Sequence, residues 1–204
     1  EAKIALLQVL ASRPSPDHME IVLEEVNSSH LEVKNAALSS LSRLADPSHL
    51  EQLVSLLKSH QKPEDLKLIQ QAIIEANSQV ASKTKQTEWA LKTLKTLPAE
   101  KQIFLYDVLA HTGGTSALSN LNEIYQQGND TQKKSSLAAI VNWPDAAAMD
   151  VLFHIAEQDS NLENSNKALE GFPNFRAPLA LKSIDCKTKK ALEDFSDVRA
   201  LLAV

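Results

Sequence analysis

The six histidines are the side chains with the widest chemical range in this chain, because imidazole binds metals and transfers protons near neutral pH. No two of them lie at metal-ligand spacing, and the H-E-x-x-H motif is missing. Most lie beside predicted turns, where exposed side chains are expected. His154 lies inside a predicted helix, and we expect it to be partly buried with its polar atoms satisfied. The histidines are His18, His30, His49, His60, His111 and His154.

Paired carboxylates and glycine-rich turns are the other candidates for catalysis. Glu20 and Glu24 lie one helical turn apart, but acid–base work needs two carboxylates in different environments, and a solvated helix face is the simpler prediction. Gly113-Gly114 precedes Thr115 without the lysine or the strand of a phosphate site, which predicts a turn. There is no G-x-S-x-G, P-loop or G-x-G-x-x-G. We predict a non-enzymatic chain without cofactor or metal.

Charge and composition restrict the partners. The 204 residues carry a formal net charge of −5, and the densest basic cluster is only Lys187, Lys189 and Lys190, which argues against nucleic acid and against a DNA glycosylase of the helical-repeat type. Cys186 is the one cysteine, which excludes an internal disulfide and a thiolate metal site. No apolar run reaches the ~18 residues of a membrane span. A protein partner, or a neighbouring domain of the same polypeptide, remains.

The large aromatic residues have two interpretations. Trp and Tyr are frequent hot spots of protein interfaces. They are equally frequent as packing between helices, which we favour for Trp89, Trp143, Tyr106 and Tyr125.

The elements that carry these residues are predicted to be helices. Only 4% of residues are aromatic and only four are glycine, too few for a β-sandwich or barrel. Apolar residues recur at helical spacing. Pro16, Pro47 and Pro63 stand where helices begin, and Gly113-Gly114 and Gly128 suit helix ends. The fold class is therefore all-α.

A repeat runs through the helical pattern. Its spacing is about 31 to 35 residues, within the range of helical solenoids. An amphipathic segment lies between successive members, so each unit predicts two helices, A and then B. Leu38 has counterparts at Leu7, Ile73, Leu105, Leu137 and Leu169. The apolar position three residues later is occupied by Leu10, Leu41, Ala76, Val108, Ile140 and Phe172.

One helix pair cannot bury both apolar faces by itself, so pairs must stack. The spacing predicts a right-handed α-α superhelix of about five helix pairs after a leading helix. An irregular helical bundle is the alternative. The apolar pairs of the A segments are Val22 and Val26, Leu53 and Leu56, Leu91 and Leu94, Leu121 and Ile124, and Leu152 and Ile155.

The stretch from Leu31 to Pro47, LEVKNAALSSLSRLADP, resembles the second-helix consensus of HEAT repeats. The consensus has a polar turn, a valine and a basic residue, then small apolar residues and spaced leucines. The resemblance extends over about residues 1–172. It implies a HEAT-like solenoid that serves as a protein-binding scaffold, with the B helices lining the concave surface.

The basic position of the HEAT consensus singles out candidate binding residues. In the family this residue often joins a polar ladder between neighbouring repeats. Lys34, Lys101 and Lys133 are the candidates, and a solvated lysine in the first helical turn is the alternative for each. Lys3 also matches the position, whereas Ile69 and Ser165 depart from it, so an interrupted ladder is expected.

A second resemblance concerns Ala138 to Leu152, which includes Trp143-Pro144-Asp145. It looks like repeats of large exported bacterial proteins, some of which join HEAT-like repeats to a β-sandwich domain that processes glycosides. This resemblance implies an accessory or spacer segment of such a multidomain enzyme. It also implies a periplasmic or cell-surface location; without it we expect the cytoplasm.

Domain boundaries follow from the prolines and the chain start. Pro173 and Pro178 interrupt the repeat, so we divide the chain into a repeat array (1–172) and capping helices or the start of a following region (173–204). The chain opens inside a helical pattern at Glu1-Ala2-Lys3-Ile4, and we interpret it as a piece of a longer protein.

Overall fold

The computed structural model describes residues 1–13 and 15–171. In these residues the chain forms eleven α-helices and two short 3-10 helices, which confirms the all-α fold class. The predicted region 173–204 lies outside the described residues, as does Phe172. The α-helices are α1 (Ala2–Ser12), α2 (Pro16–Glu25), α3 (Leu31–Leu44), α4 (Leu50–Ser59), α5 (Pro63–Ser78), α6 (Lys83–Leu94), α7 (Ala99–Thr112), α8 (Thr115–Gln127), α9 (Asp130–Val141), α10 (Met149–Gln158) and α11 (Leu162–Gly171).

The order of the helices follows the repeat. Odd-numbered helices carry the Leu38 position, and we call them B helices; even-numbered helices carry the intervening segments, and we call them A helices. Leu38, Ile73 and Leu105 are fully buried, as is Leu137. Each such side chain stabilises the fold by about 2 kcal/mol through its burial. Leu169 is half-buried.

Local chemistry sets the helix boundaries. Pro16 and Pro63 are the first residues of α2 and α5, where a missing N–H leaves no hydrogen bond unmade. Asp46 starts the 3-10 turn before α4: its Oδ1 accepts from the Ser48 N–H at 2.7 Å, and the hydrogen bonds from Ser48 lower its pKa. Asp145 does the same before α10, accepting from the Ala147 N–H at 2.9 Å.

Two glycines end α7. Gly113 and Gly114 have φ values of 72° and 86°, a left-handed backbone that strains residues with a Cβ atom. The Gly113 N–H donates to the Leu109 carbonyl at 3.1 Å, which closes the helix, and α8 begins at Thr115. This confirms the prediction of a turn at these glycines.

The described residues divide into two compact units, the first ending at Ala117 and the second starting at Leu118, with the boundary inside α8. In the first unit α1 packs on α3, α3 on α5 and α5 on α7, while α2, α4 and α6 each pack on the B helix that follows. In the second unit α11 packs on α9 and α10. The single array over residues 1–172 stays a prediction. Within the described residues, no helix has the length and apolarity needed to cross a membrane.

Candidate protein-interaction surface

Lys34 lies in the first turn of α3 and joins two neighbouring B helices. Its Nζ is 2.5 Å from Oδ2 of Asp65 in the first turn of α5. The side chains are only 18% and 7% exposed, so the pair is shielded from water and from screening by salt. Lys34 therefore links α3 to α5, and this contact leaves little of its charge accessible to a partner.

Lys101 is buried in the first turn of α7. Its Nζ donates a hydrogen bond to the main-chain carbonyl of His60, in the turn between α4 and α5. Without this hydrogen bond the carbonyl would be a buried acceptor lacking its partner. A charged donor is among the strongest partners available to it. Lys101 thus contacts the repeat before its own, whereas Lys34 contacts the repeat after.

Lys133 lies half-buried in the first turn of α9, in the second unit. Its positive charge acts on Asp159, the residue that ends α10. Partial burial raises the pKa of Asp159, but the hydrogen bonds from Tyr125, the Asn161 N–H and Asn164, together with this charge, lower it overall.

Asp159 is the most heavily hydrogen-bonded carboxylate in the described residues of the second unit. Oδ2 accepts from the Tyr125 hydroxyl and from Asn164 Nδ2 at 3.0 Å, and Oδ1 accepts from the Asn161 N–H at 2.7 Å. Burial, and then the bond to this carboxylate, raise the pKa of Tyr125. Sequence reasoning missed this cluster, although Tyr125 and Asp159 are one repeat length apart.

Ile69 of α5 is a position that departs from the basic residue of the HEAT consensus. Ile69 is fully buried and offers no polar group to its neighbours. Gln70 beside it links α5 to α7 instead, because its Nε2 donates to the Phe104 carbonyl at 3.0 Å and to Asp107 Oδ2 at 2.8 Å. Lys3 is the remaining lysine at the basic position, and its Nζ lies 2.5 Å from Oε1 of Glu25 in α2.

Because Lys34 and Lys101 are engaged within the fold, the accessible part of the first unit's B helices consists mainly of other residues. Along α3 and α5 one face of each helix is exposed and polar, with charges of both signs. We call these residues the B-helix surface: Glu32, Asn35, Ser39 and Arg43 on α3, and Glu64, Lys67, Gln71 and Ser78 on α5. Since α3 packs directly on α5, the two rows form adjacent ridges.

The remaining candidates do not form a site. In residues 1–13 and 15–171, no group of three or more His, Cys, Asp or Glu could hold a metal ion. His154 is exposed, so the expectation that it is partly buried is wrong: it lies on the outer face of α10, opposite Leu152 and Ile155. Glu20 and Glu24 are exposed, as predicted for a solvated face.

The large aromatic residues are wholly or partly buried, in agreement with packing between helices. Tyr106, Tyr125 and Trp143 are buried, and Trp89 is half-buried. None of them stands out from the described surface as a free anchor for a partner.

We expect the Lys34–Asp65 pair to stabilise the first unit by a coupling free energy of about 1–2 kcal/mol, more than an exposed pair gives. The measurement is a double-mutant cycle of Lys34→Met and Asp65→Asn by urea unfolding. Lys134 and Glu163 of the second unit, 2.9 Å apart with side chains 55% and 70% exposed, provide the exposed control cycle. Equal coupling in the two cycles would contradict a structural role for Lys34.

No model of a known protein family matches the chain. A search of curated proteins finds no match either. The HEAT resemblance and the likeness to exported bacterial repeats therefore stay predictions from the residues.

Proposed function

We propose that the chain is a non-catalytic HEAT-like solenoid scaffold that binds an extended segment of a protein partner along its B-helix surface. The observation that carries this proposal is the direct packing of α3 on α5, with an exposed polar row on each helix. Side-by-side helices of this kind present a long ridged surface, which suits an extended chain better than a small molecule.

The chemistry of the B-helix surface indicates the kind of partner. Glu32 and Glu64 alternate with Arg43 and Lys67 among amide and hydroxyl side chains. A surface of both charge signs pairs with a segment that also carries both signs, because charge complementarity fixes register and suppresses wrong partners. A polyanion such as nucleic acid would meet repulsion from the two glutamates and from the chain's net charge of −5.

Peptide selection followed by charge reversal tests the proposal. A random 16-residue peptide library is displayed on phage and selected on the full chain, and enriched peptides are measured by fluorescence polarisation. We expect Arg43→Glu combined with Lys67→Glu to weaken binding by at least about tenfold. The matched control is Lys58→Glu combined with Lys92→Glu, which makes the same charge change on exposed positions of the A helices α4 and α6.

The control pair is expected to bind within about twofold of the unmodified chain, because charges outside an interface act only through screened long-range forces. Failure to enrich any peptide, or equal weakening by the two pairs, contradicts binding at the B-helix surface.

A further inference from the structure

A groove lies between the B helices α9 and α11 of the second unit. Its volume is about 390 Å³, at the lower end of the range found for ligand sites. Leu137 of α9 and Asn164 of α11 line it and are buried. Lys134, Glu163 and Glu170 also line it and are exposed. The groove therefore combines a buried apolar and amide surface with a charged rim.

The groove occupies repeat positions that belong to the B-helix surface in the first unit. Leu38 of α3 corresponds to Leu137 of α9 and to Leu169 of α11. Counted from these residues, three residues of the groove stand at positions that α3 contributes to the B-helix surface. The matching pairs are Glu163 and Glu32, Lys134 and Asn35, and Glu170 and Ser39. The same face of the B helices is thus accessible in each unit.

Two ion pairs form the rim and leave acceptor capacity unused. Lys134 Nζ lies 2.9 Å from Oε2 of Glu163, and Lys167 Nζ lies 2.6 Å from Oε2 of Glu170. Each ammonium group has three donors, whereas each carboxylate has about four acceptor sites. At least 46% of each of these side chains is exposed, so the pairs contribute little to the stability of the fold. They can therefore accommodate a further donor without loss of structure.

The buried part of the groove adds an acceptor beside an apolar surface. Asn164 Nδ2 donates to Asp159 Oδ2 at 3.0 Å, whereas Asn164 Oδ1 accepts no hydrogen bond from the described residues. Leu137 offers a surface against which the methylene groups of a long side chain can pack. A guanidinium group suits this chemistry, because its five donors form a planar fork that pairs with carboxylates.

We propose that the groove between α9 and α11 binds an arginine side chain of the partner protein. Its guanidinium group donates to Glu163, Glu170 and Asn164, and its methylene groups lie against Leu137. The lining carries two lysines and two glutamates, so the arriving cation meets no net repulsion. The identity of the occupant as part of a protein segment rests on the proposed function, but the arginine site itself belongs to the second unit alone.

Titration of the isotope-labelled full chain with N-acetyl-arginine-N-methylamide, followed by NMR, tests the arginine site without the partner. The amide signals of α9 and α11 are expected to shift saturably, with a Kd on the order of 1–10 mM. The citrulline analogue has nearly the same shape but no charge. We expect it to bind at least about tenfold more weakly.

Substitution of the rim glutamates shows where the arginine probe binds. Glu163→Gln combined with Glu170→Gln is expected to weaken its binding at least about fivefold. The matched control is Glu123→Gln combined with Glu157→Gln, at exposed positions of the A helices α8 and α10, and it is expected to change binding by less than about twofold. No saturable shift in α9 and α11, equal binding of the citrulline analogue, or equal weakening by the two pairs would each overturn the arginine site.

The arginine probe also separates the two proposals. If the scaffold proposal fails, no peptide is enriched on the full chain, but the arginine probe still binds the groove. If the arginine site fails, the probe does not bind, but selected peptides still respond to Arg43→Glu combined with Lys67→Glu.

Discussion

Replacing Ile69 by lysine is expected to lower the free energy of unfolding of the first unit by about 4 kcal/mol. In a chain that followed the HEAT consensus throughout, lysine would be the residue of that position. Here Ile69 is fully buried on α5, and Gln70 already links α5 to α7. The ammonium group of the new lysine would therefore be desolvated at a buried position that holds an apolar side chain in the unmodified chain.

Two tryptophans make this effect measurable in one unit at a time. Trp89 lies in the first unit and Trp143 in the second, so fluorescence in a Trp143→Phe background follows the first unit alone. Gln71→Lys, at an exposed neighbouring position, is expected to change stability by less than about 0.5 kcal/mol. Ile69→Val is expected to cost about 1 kcal/mol and stays measurable should the lysine variant not fold. A lysine variant as stable as the unmodified chain would mean that position 69 reaches solvent or an acceptor.

Replacing Asp159 by alanine is expected to lower the free energy of unfolding of the second unit by about 3 kcal/mol. The substitution removes the acceptor of the Tyr125 hydroxyl, of Asn164 Nδ2 and of the Asn161 N–H. Loss of the hydrogen bond from Tyr125 is expected to contribute most to the lost free energy. Tyr125 is buried on α8, and its hydroxyl would lose a charged acceptor. Fluorescence of Trp143 in a Trp89→Phe background measures the effect.

The dependence on pH identifies the carboxylate charge as the cause. The pKa of Asp159 is lowered by folding, so its contribution is present above pH about 4 and is lost as the pH falls through the lower folded value. The raised pKa of Tyr125 gives a contribution that is present below pH about 10 and is lost as the pH rises further. Asp159→Asn keeps the size but cannot ionise, so its difference from the unmodified chain should shrink as the pH falls below about 4. A difference constant over that range would assign the effect to shape alone.

The helices themselves could be predicted because their signals are local. Leucines at the repeat spacing mark the buried faces, and Pro16 and Pro63 mark helix starts by a restriction that acts within one residue. The lack of a polar side-chain contact at position 69 was also predictable, since an isoleucine side chain has no polar group whatever lies beside it.

The acceptors of the matching lysines could not be predicted in the same way. A lysine in the first turn of a B helix lies near both the preceding and the following repeat, and its position on the helix does not choose between them. Lys34 contacts the following repeat at Asp65, whereas Lys101 contacts the preceding one at the His60 carbonyl. The choice depends on which turn leaves an acceptor uncovered, a property of three-dimensional packing.

The sequence contains one weak signal for the hydrogen-bonded cluster around Asp159, namely the separation of its residues along the chain. Tyr125 and Asp159 are 34 positions apart, and so are Gln70 and Phe104; Lys34 and Asp65 are 31 apart. A polar side chain is therefore a candidate for contact with a polar side chain or a main-chain carbonyl about one repeat length away. The exposure of His154 could not be predicted from its place inside a helix. That place does not show which face of the helix it occupies, and the buried face of α10 is fixed by Leu152 and Ile155.

The most direct test of the scaffold proposal is to find which helices a selected peptide touches. Photo-crosslinking with benzoylphenylalanine introduced at Ser39 of α3 or at Ser55 of α4 compares two exposed serines on a B helix and an A helix of the same unit. Binding along the B-helix surface predicts a crosslinked peptide from the Ser39 position and none from Ser55. Crosslinking from Ser55 alone, or equally from both, would contradict binding along the B-helix surface.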